Sequence, residues 1–226
     1  MSASRGVVYI VWDRERVEIE LARSLASIKR CALEHVIVER NVATADRKEG
    51  LRLKADMYEV SPFDTTLFLD ADTVVLTPDL SYGFDKADRH GIAVAIDPAC
   101  FAARGKNAGQ LDENVIEYNT GVLFFRKSDE VERVFRLWQR YCGVTENDQI
   151  GFAKAVEELN FCPFVLPKNW NFRGGIEHQY FGSIRIFHSR ERVANDLVHS
   201  DFTFRRYRRR LTKQRILNAA GRLFRR

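Results

Sequence analysis

Short apolar runs alternate with amphipathic segments of helical period, and this rhythm constrains the fold more than any other feature of the chain. "GVVYIVWD" (6–13) reads as a buried first strand ending at Asp13. In "RVEIELARSLASIKR" the residues Val17, Leu21, Leu25 and Ile28 recur at helical spacing. "HVIVE" is a second strand, and a polar stretch at 41–48 leads to a helix ending near Tyr58. Pro62 then opens the strand "TTLFLDADTVVL" (65–76), and "GIAVAID" and "TGVLFFR" are two more. Val131, Val134, Phe135, Trp138 and Tyr141 mark another helix. "NDQIGFAKAVEEL" opens a further one behind the N-cap Asn147, with Phe152, Val156 and Leu159 on one face. "SIRIFHS" is the last strand. Strands alternating with helices predict an α/β sandwich around a mainly parallel sheet. Without a repeat or a linker before residue 200, the prediction is a single domain over 1–204 followed by a tail, 205–226.

Charge is divided between these two parts. The 226 residues carry a formal net charge of +5. Residues 205–226 hold ten Lys or Arg and no acidic residue, so removing them from 36 basic residues leaves 26 against 31 acidic ones, a body near −5. This disfavours nucleic acid as a partner, since a nucleic-acid-binding domain is basic over its body. No run approaches eighteen apolar residues, so no bilayer-spanning helix is expected. The N-terminus lacks the cleavage site of a signal peptide. Cys31, Cys100, Cys142 and Cys162 form no CxxC pair, which argues against structural zinc and leads to an expectation of free thiols in a reducing cytoplasm.

The chemistry concentrates in "TTLFLDADTVVL". An apolar strand that runs into Asp70 and Asp72 places two carboxylates where ligands of open α/β sheets bind, beyond the carboxyl ends of strands. Alternation along a strand would point residues i and i+2 to one side. Adjacent carboxylates repel, so a cation near both is the simplest explanation. A divalent metal with hard oxygen ligands, sharing its other positions with phosphate oxygens, suits them; the bland alternative is a pair that caps a turn.

Two enzyme classes present such a motif. "LFLDADTVV" resembles the first motif of haloacid dehalogenase-type phosphohydrolases, in which Asp70 would be the nucleophile. That family carries the motif on its first strand and adds a later acidic pair. Here at least two strands precede it and no such pair follows. More of the chain, roughly 7–190, resembles the GT-A glycosyltransferases, especially family 8, which includes glycogenin and the lipooligosaccharide galactosyltransferases. The ordered features are Asp13, Lys54 sixteen residues before Asp70, "LDADT", "YNTGVLFF", "NDQIGF" and "RIFHS". The family's Gly and Lys-Pro-Trp after the late His are missing, and Arg190 or Arg192 is left as a substitute for its phosphate-binding Lys.

The resemblance implies a Rossmann-like nucleotide-diphospho-sugar transferase fold and assigns roles. Asp70, Asp72 and His188 would bind Mn2+ or Mg2+, with Asp72 the firmer ligand and Asp70 also touching the ribose. Asp13 would contact base or ribose, although it serves equally as a helix cap. Lys54 would neutralise phosphate or hold the sugar. Asn119 and the Asp148–Gln149 pair would line the donor sugar and reacting face. Gln149, a poor nucleophile, suits a front-face retaining transfer. Trp170 and Asn171 in "LPKNWNFRGG" form either a sugar platform or a core anchor, and the loop 98–114 is either a lid or ordinary surface.

The expected reaction is transfer from a UDP-sugar to a hydroxyl of a glycan or lipid-linked acceptor. In the tail, Ile216, Ala220 and Leu223 make an apolar strip among arginines, as in helices that lie on anionic membrane surfaces. Each nearby Lys or Arg adds about 1 kcal/mol to such binding. The expected location is peripheral, on the cytoplasmic face. Two alternatives stand beside this reading: the phosphohydrolase, and a module that binds a nucleotide sugar without turning it over. A sugar nucleotidyltransferase would need a Gly-rich loop after the first strand, and "VWDRERVE" has no glycine.

Overall fold

The computed structural model describes residues 4–12, 14–39, 47–98, 105–142, 144–145, 147–173 and 183–188. Asp13, Cys100, Arg190, Arg192 and the tail 205–226 lie outside the described residues.

Six strands make the main sheet, in the order β2-β1-β3-β6-β5-β7. They are β1 (Arg5–Val11), β2 (Glu34–Glu39), β3 (Thr65–Leu69), β5 (Ile92–Ile96), β6 (Tyr118–Arg126) and β7 (Phe164–Leu166). β1 pairs in parallel with β2 and β3, and β5 with β7, while β6 runs antiparallel to both β3 and β5. Only β6 is reversed, so the mainly parallel sheet expected from the sequence is present.

Helices cover both faces because the strands are apolar on both. On one face Val8, Ile10, Phe68, Leu123 and Phe125 pack with Val131, Phe135 and Trp138 of α5 (Asp129–Cys142) and Phe152 of α6 (Asp148–Glu158). Residues of α2 (Arg47–Ala55) and α3 (Met57–Val60) join this layer. On the other face Val7, Tyr9, Leu67, Leu69 and Phe124 meet Leu21 and Ile28 of α1 (Arg14–Ile28) and Phe84 and Ala87 of α4 (Ser81–His90). Each large apolar side chain fully buried in this way contributes about 1.5–3 kcal/mol.

The segment 65–76 departs from expectation. It is not one strand: β3 ends at Leu69, and the chain turns through Asp70, Ala71 and Asp72 into β4 (Thr73–Val75). β4 belongs to a second sheet, β4-β9-β8, with β8 (Phe172–Arg173) and β9 (Ile186–His188). The Thr73 amide and hydroxyl both donate to the Asp70 carbonyl, at 3.1 and 2.7 Å, which closes the turn. The two carboxylates are therefore neighbours on a turn between sheets, not alternate positions of one strand.

Candidate active site

Three elements bring Asp70, Asp72 and His188 together. The turn supplies the carboxylates, and β9, antiparallel to β4 with His188 opposite Thr73, supplies the imidazole. His188 Nε2 lies 3.2 Å from Asp72 Oδ1 and 3.7 Å from Asp70 Oδ2. One potential ligand atom from each residue falls within 4.8 Å of the others. The floor is β6, which bulges against β5: Val94 faces Leu123 but Ala95 faces Asn119, leaving Thr120, Gly121 and Val122 as extra residues. Gly121 is required there. A Cβ on it would stand 2.2 Å from His188 Cε1 and 2.6 Å from Asp70 Oδ2.

This donor set fits a divalent cation. Two carboxylates with one imidazole nitrogen suit Mn2+ better than Mg2+, which prefers oxygen alone. The cluster otherwise aims a ring nitrogen at carboxylate oxygens, an arrangement that a proton or a shared cation must relieve.

Lys54 is not a surface lysine. It is 5% exposed, with Nζ 3.0 Å from Asp70 Oδ1 and 3.1 Å from Asp148 Oδ2. Burial works against its charge, but the Asp148 and Asp70 carboxylates outweigh burial and raise its pKa, so it stays an ammonium. Asp148 opens α6 behind the N-cap Asn147, whose side chain accepts from the Gln149 amide at 3.1 Å. Thr120 donates to Asp148 Oδ2 at 2.6 Å, and Trp138 Nε1 donates to the Asp148 carbonyl at 2.8 Å. The predicted residues Lys54, Asp70 and Asp148 thus form one ion cluster, buried at Lys54 and Asp148 and half-buried at Asp70, with half-buried Gln149 next in sequence.

Asn119 sits in a second polar group. It donates to Asp97 Oδ1 at 2.6 Å and accepts from the Gly121 amide at 3.1 Å and Asn171 Nδ2 at 2.9 Å. Asn171 in turn touches His188 Nδ1 at 2.8 Å. Burial pushes the Asp97 carboxyl up, against the lowering influence of Asn119, Gln149, Arg173 and His188. Sequence reasoning gave Asp97 no role. Its signal was present, as a second Asp at the end of an apolar strand, "GIAVAID". Asn171 is 3% exposed and faces the interior. Trp170, 5% exposed, packs 5.7 Å from the Phe124 ring and 5.8 Å from Tyr82, which decides for the core anchor over the sugar platform. In the loop 98–114, Leu111 packs with Ile150 and Ala153 of α6.

Behind the turn runs a buried hydroxyl chain that the sequence did not disclose. Thr73 gives its proton to the Asp70 carbonyl, so Ser24 donates to Thr73 at 3.2 Å and Tyr9 to Ser24 at 2.8 Å. It ties the turn to α1 and β1.

No protein-family model matches the chain, and no curated protein matches it. Solved structures do. The galactosyltransferase LgtC, in complex with donor and acceptor sugar analogues, matches with a TM-score of 0.59 at 12% identity, over 88% of this chain and 96% of its own. The apo form of the glycosyltransferase GlyE of Streptococcus pneumoniae TIGR4 matches with a TM-score of 0.61 at 13% identity, over 95% and 64%. The bifunctional glycosyltransferase WbbM matches with a TM-score of 0.58 at 15% identity, over 83% of this chain. The fold is GT-A. The chain spans 46% of WbbM and just under two thirds of GlyE. Within the GT-A fold the Asp70–Asp72 turn lies at the carboxyl end of β3, where the sequence placed it. The phosphohydrolase alternative is not favoured by these matches.

Proposed function

We propose that this chain is a metal-dependent glycosyltransferase that moves a sugar from a nucleoside diphosphate sugar, UDP-linked first, to a hydroxyl acceptor. One observation carries the reading: in a GT-A fold, Asp70, Asp72 and His188 converge beside the Lys54–Asp148 cluster. The ordered motifs support membership of family 8. When bound, a divalent cation such as Mn2+ supplies Lewis-acid stabilisation of the departing diphosphate.

The chain's own residues do the rest. Lys54 cancels part of the charge on Asp70 and Asp148, so that an anionic donor can approach. Asn147 caps α6 and so holds Gln149 at the helix start, where the reading puts the anomeric carbon. A glutamine amide is a poor nucleophile, which suits a front-face retaining transfer better than one through a covalent enzyme intermediate. The bond from the anomeric carbon to the diphosphate oxygen breaks, with its electron pair leaving on that oxygen. The acceptor oxygen bonds to the carbon, and its proton passes to the departing diphosphate.

For the acceptor the reading is a glycan or lipid-linked saccharide at the cytoplasmic face of a membrane. The segregation of ten basic residues into 205–226 supports it. Among the described residues no helix is long and apolar enough to cross a membrane.

A panel of nucleotide sugars with manganese, scored for nucleotide release, tests the activity. We expect release from at least one donor and its loss, by at least about a hundredfold, in Asp72→Asn, the order lost with one key electrostatic group. Stabilisation by UDP without turnover of any donor would leave a binding module instead. For the tail, deletion of 205–226 is expected to preserve donor hydrolysis and abolish binding to anionic vesicles; binding that survives refutes the assignment.

A further inference from the structure

The imidazole of His188 has two nitrogens, and only the one without hydrogen can ligate a cation. Its neighbours decide which. Asn171 Nδ2 lies 3.1 Å from the backbone carbonyl of Asn119, a group that can only accept. That atom is therefore the amide nitrogen, and the Asn171 oxygen faces His188 Nδ1 at 2.8 Å.

A second fixed group gives the same answer. The backbone N–H of Gly121 can only donate, and it lies 3.1 Å from Asn119 Oδ1. This orients the Asn119 amide, whose oxygen also accepts from Asn171 Nδ2 at 2.9 Å while its nitrogen reaches Asp97 Oδ1 at 2.6 Å. Reversing Asn171 would set its oxygen against two acceptors, the Asn119 carbonyl and Oδ1. All four side chains, Asp97, Asn119, Asn171 and His188, are buried, so water does not substitute for these partners.

We infer that Asn171 is a positioning residue that keeps a proton on His188 Nδ1, so that Nε2 is the nitrogen left for a cation shared with Asp70 and Asp72. Asp97 and Asn119 lock Asn171 from behind. The inference deepens the metal-centre reading and rests on it for its purpose, though the proton on Nδ1 is itself a property of the metal-free protein. Fixing the second nitrogen of a metal-binding histidine in this way typically matters 10–100-fold in metal affinity.

The test uses the full chain, labelled with 15N. Long-range proton–nitrogen spectra, which show which ring nitrogens carry a proton, are recorded without metal. His188 is assigned by its loss in His188→Gln, and Mn2+ binding is measured by calorimetry. The wild type is expected to carry a proton on Nδ1; a ring whose Nδ1 is unprotonated overturns the inference. Asn171→Leu is expected to admit a ring without the Nδ1 proton and to weaken Mn2+ by about 10–100-fold. Asn171→Asp keeps an acceptor opposite Nδ1 but loses the donor to Asn119. Its Tm is expected to fall while the Nδ1 proton and most Mn2+ affinity remain, a split that a merely structural residue does not produce. If Asn171→Leu keeps both wild-type affinity and the Nδ1 proton, the inference fails. Should Asn171→Leu not fold, the wild-type and Asn171→Asp spectra still decide. A wild type that binds no Mn2+ overturns the metal-centre reading, and the proton–nitrogen spectrum decides this inference separately.

Discussion

Asp70 belongs to two clusters that solve the same electrostatic problem in opposite ways. On the side of α2 and α6 it shares Lys54 with Asp148, so two carboxylates have a cation built into the chain. On the side of β4 and β9 it stands with Asp72 and His188, whose ligand atoms lie within 4.8 Å of one another. The first cluster carries its own cation, and its Lys54 and Asp148 are buried. The second gathers two carboxylates and an imidazole nitrogen, a donor set that suits an exogenous divalent cation.

The largest effect should come from removing the built-in cation. Lys54→Met strands two carboxylates, and the loss is expected to be about 3–5 kcal/mol, read as a lowered denaturation midpoint. Adding Asp148→Asn should recover much of it, whereas a Lys54→Met protein as stable as wild type would undo the comparison. Because the pKa of Lys54 is raised, its contribution is complete below the unfolded value of about 10.4 and fades only as pH climbs through the folded one. Stability from this pair should therefore be flat across neutral pH.

Next in size is Gly121→Ala, which acts on both clusters through their shared floor. The new methyl meets His188 and Asp70 within 2.6 Å. Overpacking of this kind costs about 1–3 kcal/mol. Calorimetry with Mn2+ should also show weaker binding, since the ligands must spread; unchanged affinity would mean that they are not positioned by β6.

The smallest effect sharpens the contrast from behind the site. The pKa of Asp97 is raised chiefly by burial, so its ionised form costs the fold stability. The favourable contribution is present below the unfolded carboxyl value of about 3.9 and is lost as pH rises through the higher folded value. Asp97→Asn should accordingly be more stable than wild type at pH 7 and lose that advantage in acid, as followed by thermal melts at several pH values. A difference independent of pH would show that the carboxyl is not titrating in this range.

Much of the fold was legible in the chain because strands buried on both faces must be apolar throughout, as in "GVVYIV" and "TTLFL". The helix α4 was not, since "SYGFDKADRH" buries only Gly83, Phe84 and Ala87 and so shows no long apolar stripe. β7 and β8, with three and two residues, are too short to leave a periodic signal. Within the site, motif order identified Asp70, Asp72 and His188 without revealing that a turn, not strand alternation, brings the carboxylates together. Composition could not show that Lys54 is buried, because a lysine looks the same in a sequence whether its partners are carboxylates or water.

What the chain determined alone was its layer architecture and the residue types at the strand ends, both of which follow from local patterns of hydrophobicity and charge. Tertiary structure decided the partners: Lys54 to Asp148, ninety-four positions away, Gly121 beneath His188, and Asn171 behind it. Those contacts depend on strand order and on a bulge in β6. The physical reason is that hydrophobic periodicity is a property of neighbours in sequence, whereas hydrogen bonds and ion pairs in a site are made between elements whose juxtaposition is set only when the sheet closes.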